Sequence, residues 1–277
     1  MAGMTDNLVS LKVDIADGVA DVTLLGPGKG NAMGPDFWRE LPVVFGDLDR
    51  DDAVRAIVLT GSGANFSYGL DLPAMSGDWA GMLGGSSLAR PRTDFLGRLR
   101  ELQEAVTSIA ACRKPVIAAV SGWCVGGGVD VIAAADIRLA SADARFSVRE
   151  VKVAIVADLG SLHRLAGIVG EGHLRELAFT GKDIDAARAE KIQLVNDVYP
   201  DQESLLTAAR ALAADIAANP PLVVQGVKDV LGHQREHDVA AGLRYVGAWN
   251  AAFLPSEDLT EAVTAFVERR APKFNGK

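Results

Sequence analysis

The chain has 277 residues, 49% of them hydrophobic and 23% charged, enough apolar material for a sizeable core in one large or two small domains. A net charge of −8 argues against the basic face that nucleic-acid binding needs, and no apolar run approaches the ~18 residues of a membrane span. Cys112 and Cys124 stand outside any CxxC pair, so no disulfide framework is expected and a reducing compartment fits. The N-terminus lacks the basic and apolar regions of a signal peptide, and the C-terminal NGK is not a peroxisomal tripeptide. The expected location is cytoplasmic.

Residues 8–25 alternate apolar and polar around Asp17-Gly18, which predicts a β-hairpin. The glycine-rich loop GPGKGNAMG follows, and Pro35 then opens a helix to about Arg50 with Phe37, Leu41, Val44 and Leu48 on one face. Residues 53–61 (AVRAIVLTG) read as a buried strand, and 73–92 as a loop that carries a flap over a site. A helix is expected from about Asp94 to Ala111, then the strand PVIAAV at 115–120. SGWCVGGGVDVIAAA turns from strand into helix, and DIRLAS and ARFSV are further short strands. From about Asp201 the pattern becomes four successive helices, so a soft boundary near 200 divides an α/β core (1–200) from a helical tail (201–277). These four apolar-faced helices have no evident sheet of their own to cover.

Some motifs point elsewhere and fail on inspection. His233-Gln-Arg-Glu-His237 matches the H-x-x-E-H pattern of inverted zinc peptidases, but no further ligand completes a site, and a solvated helix end is the simpler reading. The glycines of GWCVGGG do not space as G-x-G-x-x-G, so a dinucleotide cofactor is not expected. No G-x-S-x-G elbow exists, and Cys124 has no histidine nearby in sequence, which suits a packed thiol.

Gly126-Gly127-Gly128 joins a strand to a helix, where bare backbone N–H groups and the helix dipole suit a developing oxyanion. Gly69, after the strand AVRAIVLTG, is placed to bring a second backbone donor. Three acids follow the triple glycine in apolar surroundings: Asp130, Glu150 and Asp158. Acids so placed have raised pKa values and serve as proton carriers near neutral pH. Plain structural roles are also open, Asp130 as a helix-start acid and Asp158 as the cap of the helix LGSLHRLAG.

Together these segments resemble the enoyl-CoA hydratase/isomerase (crotonase) family over roughly residues 8–275. KGNAMGPDFWRELP, with Lys29, is similar to its first CoA-contacting loop and helix. NFSYGLDL resembles the F-x-A-G-x-D-[LI] motif with Tyr68 in place of alanine, and residues 113–146 resemble the longest family signature. The resemblance implies an α/β spiral of ββα units, a homotrimer or dimer of trimers joined through the helical tail, and an acyl-CoA thioester substrate with no metal or further cofactor. It implies an oxyanion hole from the backbone N–H groups of Leu70 and Gly127, with Tyr68, Gly69, Leu70, Asp71 and Leu72 along the CoA arm. Asp130 and Glu150 match the two hydratase carboxylates.

Hydratases carry P-G-x-G-G where this chain has Val156-Ala157-Asp158-Leu159-Gly160. A third acid there is similar to the Δ3,5-Δ2,4-dienoyl-CoA isomerases. That similarity implies proton loss at C2 to one carboxylate and proton gain at C6 from another, with Glu150 at C2, Asp158 at C6 and Asp130 orienting the site. The alternatives are a 2-enoyl-CoA hydratase in which Asp158 is structural, and a non-catalytic binding protein on the same fold. The intact acids, both glycine turns and the negative net charge disfavour the second.

Overall fold

The computed structural model describes residues 8–26, 30–75, 77 and 88–276, with backbone alone at 234–237. β1 (Leu11–Ala16) and β2 (Val19–Leu24) form the expected hairpin, in register from Leu11↔Leu24 to Ala16↔Val19. Asp17 and Gly18 take φ of +50° and +82°, the two-residue turn whose twist matches that of the strands. α1 (Pro35–Arg50) starts on its proline, where a missing N–H costs nothing, and buries Phe37, Leu41, Val44 and Leu48.

The same sequence of strand, short extended segment and helix then repeats. β3 (Ala56–Gly61) runs through Ser67 and Leu70 into α2 (Leu72–Met75) and α3 (Ala89–Ala111). β4 (Val116–Val120) leads to β5 (Trp123–Val125) and α4 (Gly127–Ala134); β6 (Ile137–Ser141) leads to β7 (Arg145–Ser147) and a 3-10 turn at Glu150–Val153. The longer strands pair with one another, while the short segments form a second stack in which Met33 bridges Leu70, Ser67 bridges Cys124 and β5 pairs with β7. This is the spiral of ββα units that the resemblance implies. α5 (Ser161–Arg164), α6 (Ala166–Val169), α7 (Glu171–Thr180), β8 (Ile184–Asp185), α8 (Ala186–Lys191) and β9 (Asp197–Tyr199) follow. β9 completes a six-stranded sheet of order β1-β2-β3-β4-β6-β9, parallel from β2 onward. Its central strands β3 and β4 are buried at every residue, as a parallel sheet covered on both faces requires.

Asp201 caps α9 (Gln202–Ala217) by accepting the Ser204 N–H. Contrary to the reading of the tail as helices without a sheet, α9 packs on the core. Leu205, Ala209, Ala213 and Ala217, four residues apart, lie against Val19, Ala56, Val58, Ile117 and Leu139 of the sheet. Two of the four expected tail helices are one, α10 (Pro221–Phe253), since nothing between them removes a backbone donor; α11 (Glu257–Glu268) follows. His233 therefore sits inside a helix rather than at its end, and the side chain of His237 lies outside the described residues.

Two further boundaries shift. The helix expected from Asp94 begins at Ala89, because Pro91 falls in the first turn, where no intrahelical N–H is needed. The loop read over 73–92 is thus helical at both ends, and residues 76 and 78–87, the body of the expected flap, lie outside the described residues. The strand read from Ala53 starts at Ala56.

Candidate active site

The second stack of the spiral places both backbone donors. Leu70 bridges Met33 in parallel, so the hydrogen bonds Met33 N–H to Gly69 O and Asp71 N–H to Met33 O use the residues on either side of it. The Leu70 N–H points the other way, and neither it nor the Gly127 N–H at the start of α4 donates a hydrogen bond among the described residues. The two approach closely because both turns are glycine. Gly69 has φ +82°, and a Cβ on it would stand 2.6 Å from Val125 O and 3.0 Å from Gly127 N. A Cβ on Gly127 would lie 3.7 Å from Leu70 N.

A cavity of about 160 Å³ opens onto these donors and gathers Asp130, Glu150 and Asp158 against an apolar wall of Phe95, Leu99, Leu102 and Leu254. Asp130, in the first turn of α4, is 1% exposed, and its Oδ1 accepts the Ser161 N–H at 2.6 Å at the start of α5. Asp158 is not the cap of that helix, because Gly160 holds the cap position. Its Oδ2 instead accepts from Asn250 Nδ2 at 2.7 Å. Glu150 presents Oε1 3.5 Å from where a Cβ on Gly126 would lie, beside the Gly127 donor, and its buried Oε2 has no hydrogen-bond partner among the described residues.

Burial raises the pKa of all three. For Asp158 it outweighs the Asn250 bond and, with the Asp130 charge adding to it, pushes the carboxyl up to about 7. Glu150 is raised by burial, then by the charges of Asp130 and Asp158, to about 8, so Glu150 and Asp158 hold protons with similar affinity and share one near neutral pH. Asp130 is raised by burial against the Ser161 hydrogen bond and the Arg164 charge. Three such carboxyls cannot all ionise near neutral pH, so the cluster holds a proton acceptor and a proton donor together. A larger cavity, about 780 Å³, lies between α4 and α10 and is lined by Ala133, Ala134, Val223, Val227 and Leu231. It holds none of the three acids.

The enoyl-CoA hydratase/isomerase family model matches residues 14–277. The chain belongs to the enoyl-CoA hydratase/isomerase family. Among curated proteins it is 45% identical over 260 residues to the mitochondrial Δ3,5-Δ2,4-dienoyl-CoA isomerase of Dictyostelium discoideum, covering 92% of this chain and 87% of the relative. It is 42% identical to the peroxisomal Δ3,5-Δ2,4-dienoyl-CoA isomerase of Arabidopsis thaliana, covering 90% and 89% of the two chains. Among solved structures, an enoyl-CoA hydratase/isomerase from Xanthobacter autotrophicus Py2 superposes with a TM-score of 0.84 at 26% identity, covering 95% of this chain and 94% of that one.

With the family established, the residues carried over from its motifs can be placed individually. Tyr68, Leu70, Leu72, Gly127, Asp130, Glu150 and Asp158 all line the small cavity. The Tyr68 ring, the departure from the family motif, lies across Gly30, where a Cβ would fall 1.8 Å from its Cδ2, so the missing side chain makes its room. Asp71 is not brought to the cavity; its Oδ1 accepts the Ala74 N–H at the start of α2. Lys29 lies outside the described residues. The sequence reading missed Asn250, Gln103 and Leu254, which reach the site from α3 and from the far end of the chain. Asn250 carries the one available signal, an amide alone in the apolar run GAWNAAF.

Proposed function

We propose that this protein converts 3,5-dienoyl-CoA to 2,4-dienoyl-CoA. The observation that carries the reading is a third acid, Asp158, sharing one cavity with the two acids and the paired backbone donors of the family. The substrate's C2–H proton passes to Glu150, and the electron pair spreads from the thioester oxygen to C6. The oxygen is held by the Leu70 and Gly127 N–H groups, an interaction of about 3–4 kcal/mol per donor in comparable sites. Asp158 then delivers its proton to C6, leaving double bonds at C2 and C4. We assign Glu150 to C2 because its Oε1 lies by Gly126, the residue before the Gly127 donor, and its buried Oε2 has no hydrogen-bond partner among the described residues. Asp158 is assigned to C6, and it shares the cavity with Phe95, Leu99, Leu102 and Leu254, apolar side chains that suit an acyl chain. Asp130 raises the proton affinity of both neighbours. Coenzyme A enters as part of the substrate, along Tyr68, Gly69 and Leu72.

Asp158→Asn tests this division. It keeps the shape and cannot carry a proton, so isomerisation should fall at least ~10²-fold while thioester binding holds. Proton exchange at C2 in heavy water should survive, because Glu150 remains. Undiminished isomerisation with only a lower melting temperature would make Asp158 a structural residue.

The reading includes a homotrimer or dimer of trimers. It is supported by apolar side chains that the tail leaves exposed, with Leu222 at 80%, Leu231 at 76% and Val267 at 74%. Light scattering should give a trimer or hexamer of the 29.1 kDa chain; a monomer sinks this part. The cytoplasmic placement belongs to the same proposal and rests on two buried free thiols that suit a reducing compartment.

A further inference from the structure

We infer that Asn250, on α10, is a positioning residue for the proton carrier Asp158: its amide holds Oδ2 and leaves Oδ1 as the atom that exchanges a proton with the substrate. The inference rests on the isomerase reading. It begins from a local problem, since Asp158 sits in the irregular segment 155–160, where no helix or strand fixes a side chain. Glu150 is carried by a 3-10 turn and Asp130 by a helix. Asp158 is held by ties to two distant helices.

From α10, Asn250 Nδ2 donates to Asp158 Oδ2 at 2.7 Å and to Val156 O at 2.8 Å, and Asn250 is 1% exposed. From α3, Gln103 Nε2 donates to Asp158 O at 2.8 Å and to Leu243 O at 3.2 Å. The Val156 carbonyl can only accept. It therefore fixes which face of the Asn250 amide meets the carboxyl, because the flipped amide sets oxygen against two acceptors. With an N–H directed at Oδ2, that oxygen serves best as the carbonyl acceptor, so the neutral acid carries its proton on Oδ1.

In the reaction the Oδ1–H bond breaks and the C6–H bond forms from the electron pair released at C2. The resulting carboxylate stays bonded to Asn250, and the pair resets when a proton passes from Glu150 to Asp158. The hydrogen bond favours the ionised product of that step, and the orientation sets the proton's line of approach to C6. The charged groups about Asp158 are Asp130 from α4, with Arg164 of α5 beside it, Glu150 from the 3-10 turn, and Arg149, which lines the same cavity and is paired with Asp183. α3 and α10 face it with the neutral Gln103 and Asn250.

The unmodified protein, Asn250→Leu and Asn250→Asp are compared on 3,5-dienoyl-CoA for kcat, KM and the pH profile of kcat/KM. The step needs Glu150 ionised and Asp158 protonated, a pair with one proton between them, so activity falls as pH rises and that proton is lost. Asn250→Leu removes a donor that favours the charged form, and Asn250→Asp adds a second acid. Both move the alkaline limb upward, on the order of one pH unit, with kcat down at least about tenfold and KM little changed. Asn250→Asp is isosteric and carries the test if the leucine variant does not fold. An unmoved limb and unchanged kcat in folded Asn250→Asp overturn the role, whatever the loss in thermal stability. If the unmodified protein gives no 2,4-dienoyl-CoA, the isomerase reading falls, and this role falls with it, before any variant is measured.

Discussion

Glu150→Gln should cut isomerisation by ~10²–10⁴-fold, the range for loss of a positioned acid–base group, while a non-reacting acyl-CoA still binds. The change is isosteric and leaves untouched the backbone N–H groups of Leu70 and Gly127, the oxyanion donors we propose, so the ground-state complex has no reason to weaken. It also removes a buried carboxyl that the charges of Asp130 and Asp158 disfavour, so the variant should fold at least as stably above neutral pH. The sign follows from linkage: a carboxyl whose pKa is raised by folding costs stability as pH climbs from its unfolded value toward its folded one. Exchange at C2 in heavy water distinguishes this variant from Asp158→Asn. Glu150→Gln should lose exchange together with isomerisation, whereas Asp158→Asn loses isomerisation alone. The reverse pattern exchanges the two roles.

Gly127→Val should remove activity and leave the fold. Its Cβ would meet Met33 Sδ at 3.3 Å, a flexible thioether that can yield, and Gly69 Cα and Leu70 N at 3.7 Å. The γ-methyl groups then occupy the gap between the two N–H groups, the place we propose for the thioester oxygen. Loss of one such donor costs about 10²–10³-fold in kcat, and obstructing the gap denies both. Near-normal turnover in a folded Gly127→Val protein would move the oxyanion hole elsewhere.

Local chemistry was legible in the sequence and long-range contact was not. Asp17-Gly18, Pro35 and Asp201 each announce a turn or a helix start through their own backbone preferences, and the structure has all three. The acids and glycines of the site were legible because one short stretch of chain carries most of them. Asn250 was not, because its partner Asp158 is separated from it by 92 residues and meets it only through the packing of α10. The covering of the sheet by α9 escaped notice for a similar reason. Its contact face is mostly alanine, a stripe that reads as generic helix until a flat partner is known. Pro91 misled in the opposite sense, since proline marks a boundary by itself and is tolerated only once its place in the first turn is known.

On the reading proposed here Glu150 takes a proton from C2 and Asp158 gives one to C6 of the same thioester, with Asp130 and two backbone donors in support. The most direct test of this reading is the purified, unmodified protein assayed side by side on 3,5-dienoyl-CoA and 2-enoyl-CoA, following the conjugated 2,4-dienoyl thioester and the 3-hydroxyacyl product. 2,4-Dienoyl-CoA should form rapidly from the first substrate, and hydration of the second should be far slower. Efficient hydration of 2-enoyl-CoA with no conversion of 3,5-dienoyl-CoA would contradict the reading and would leave Asp158 as a structural acid beside a hydratase pair.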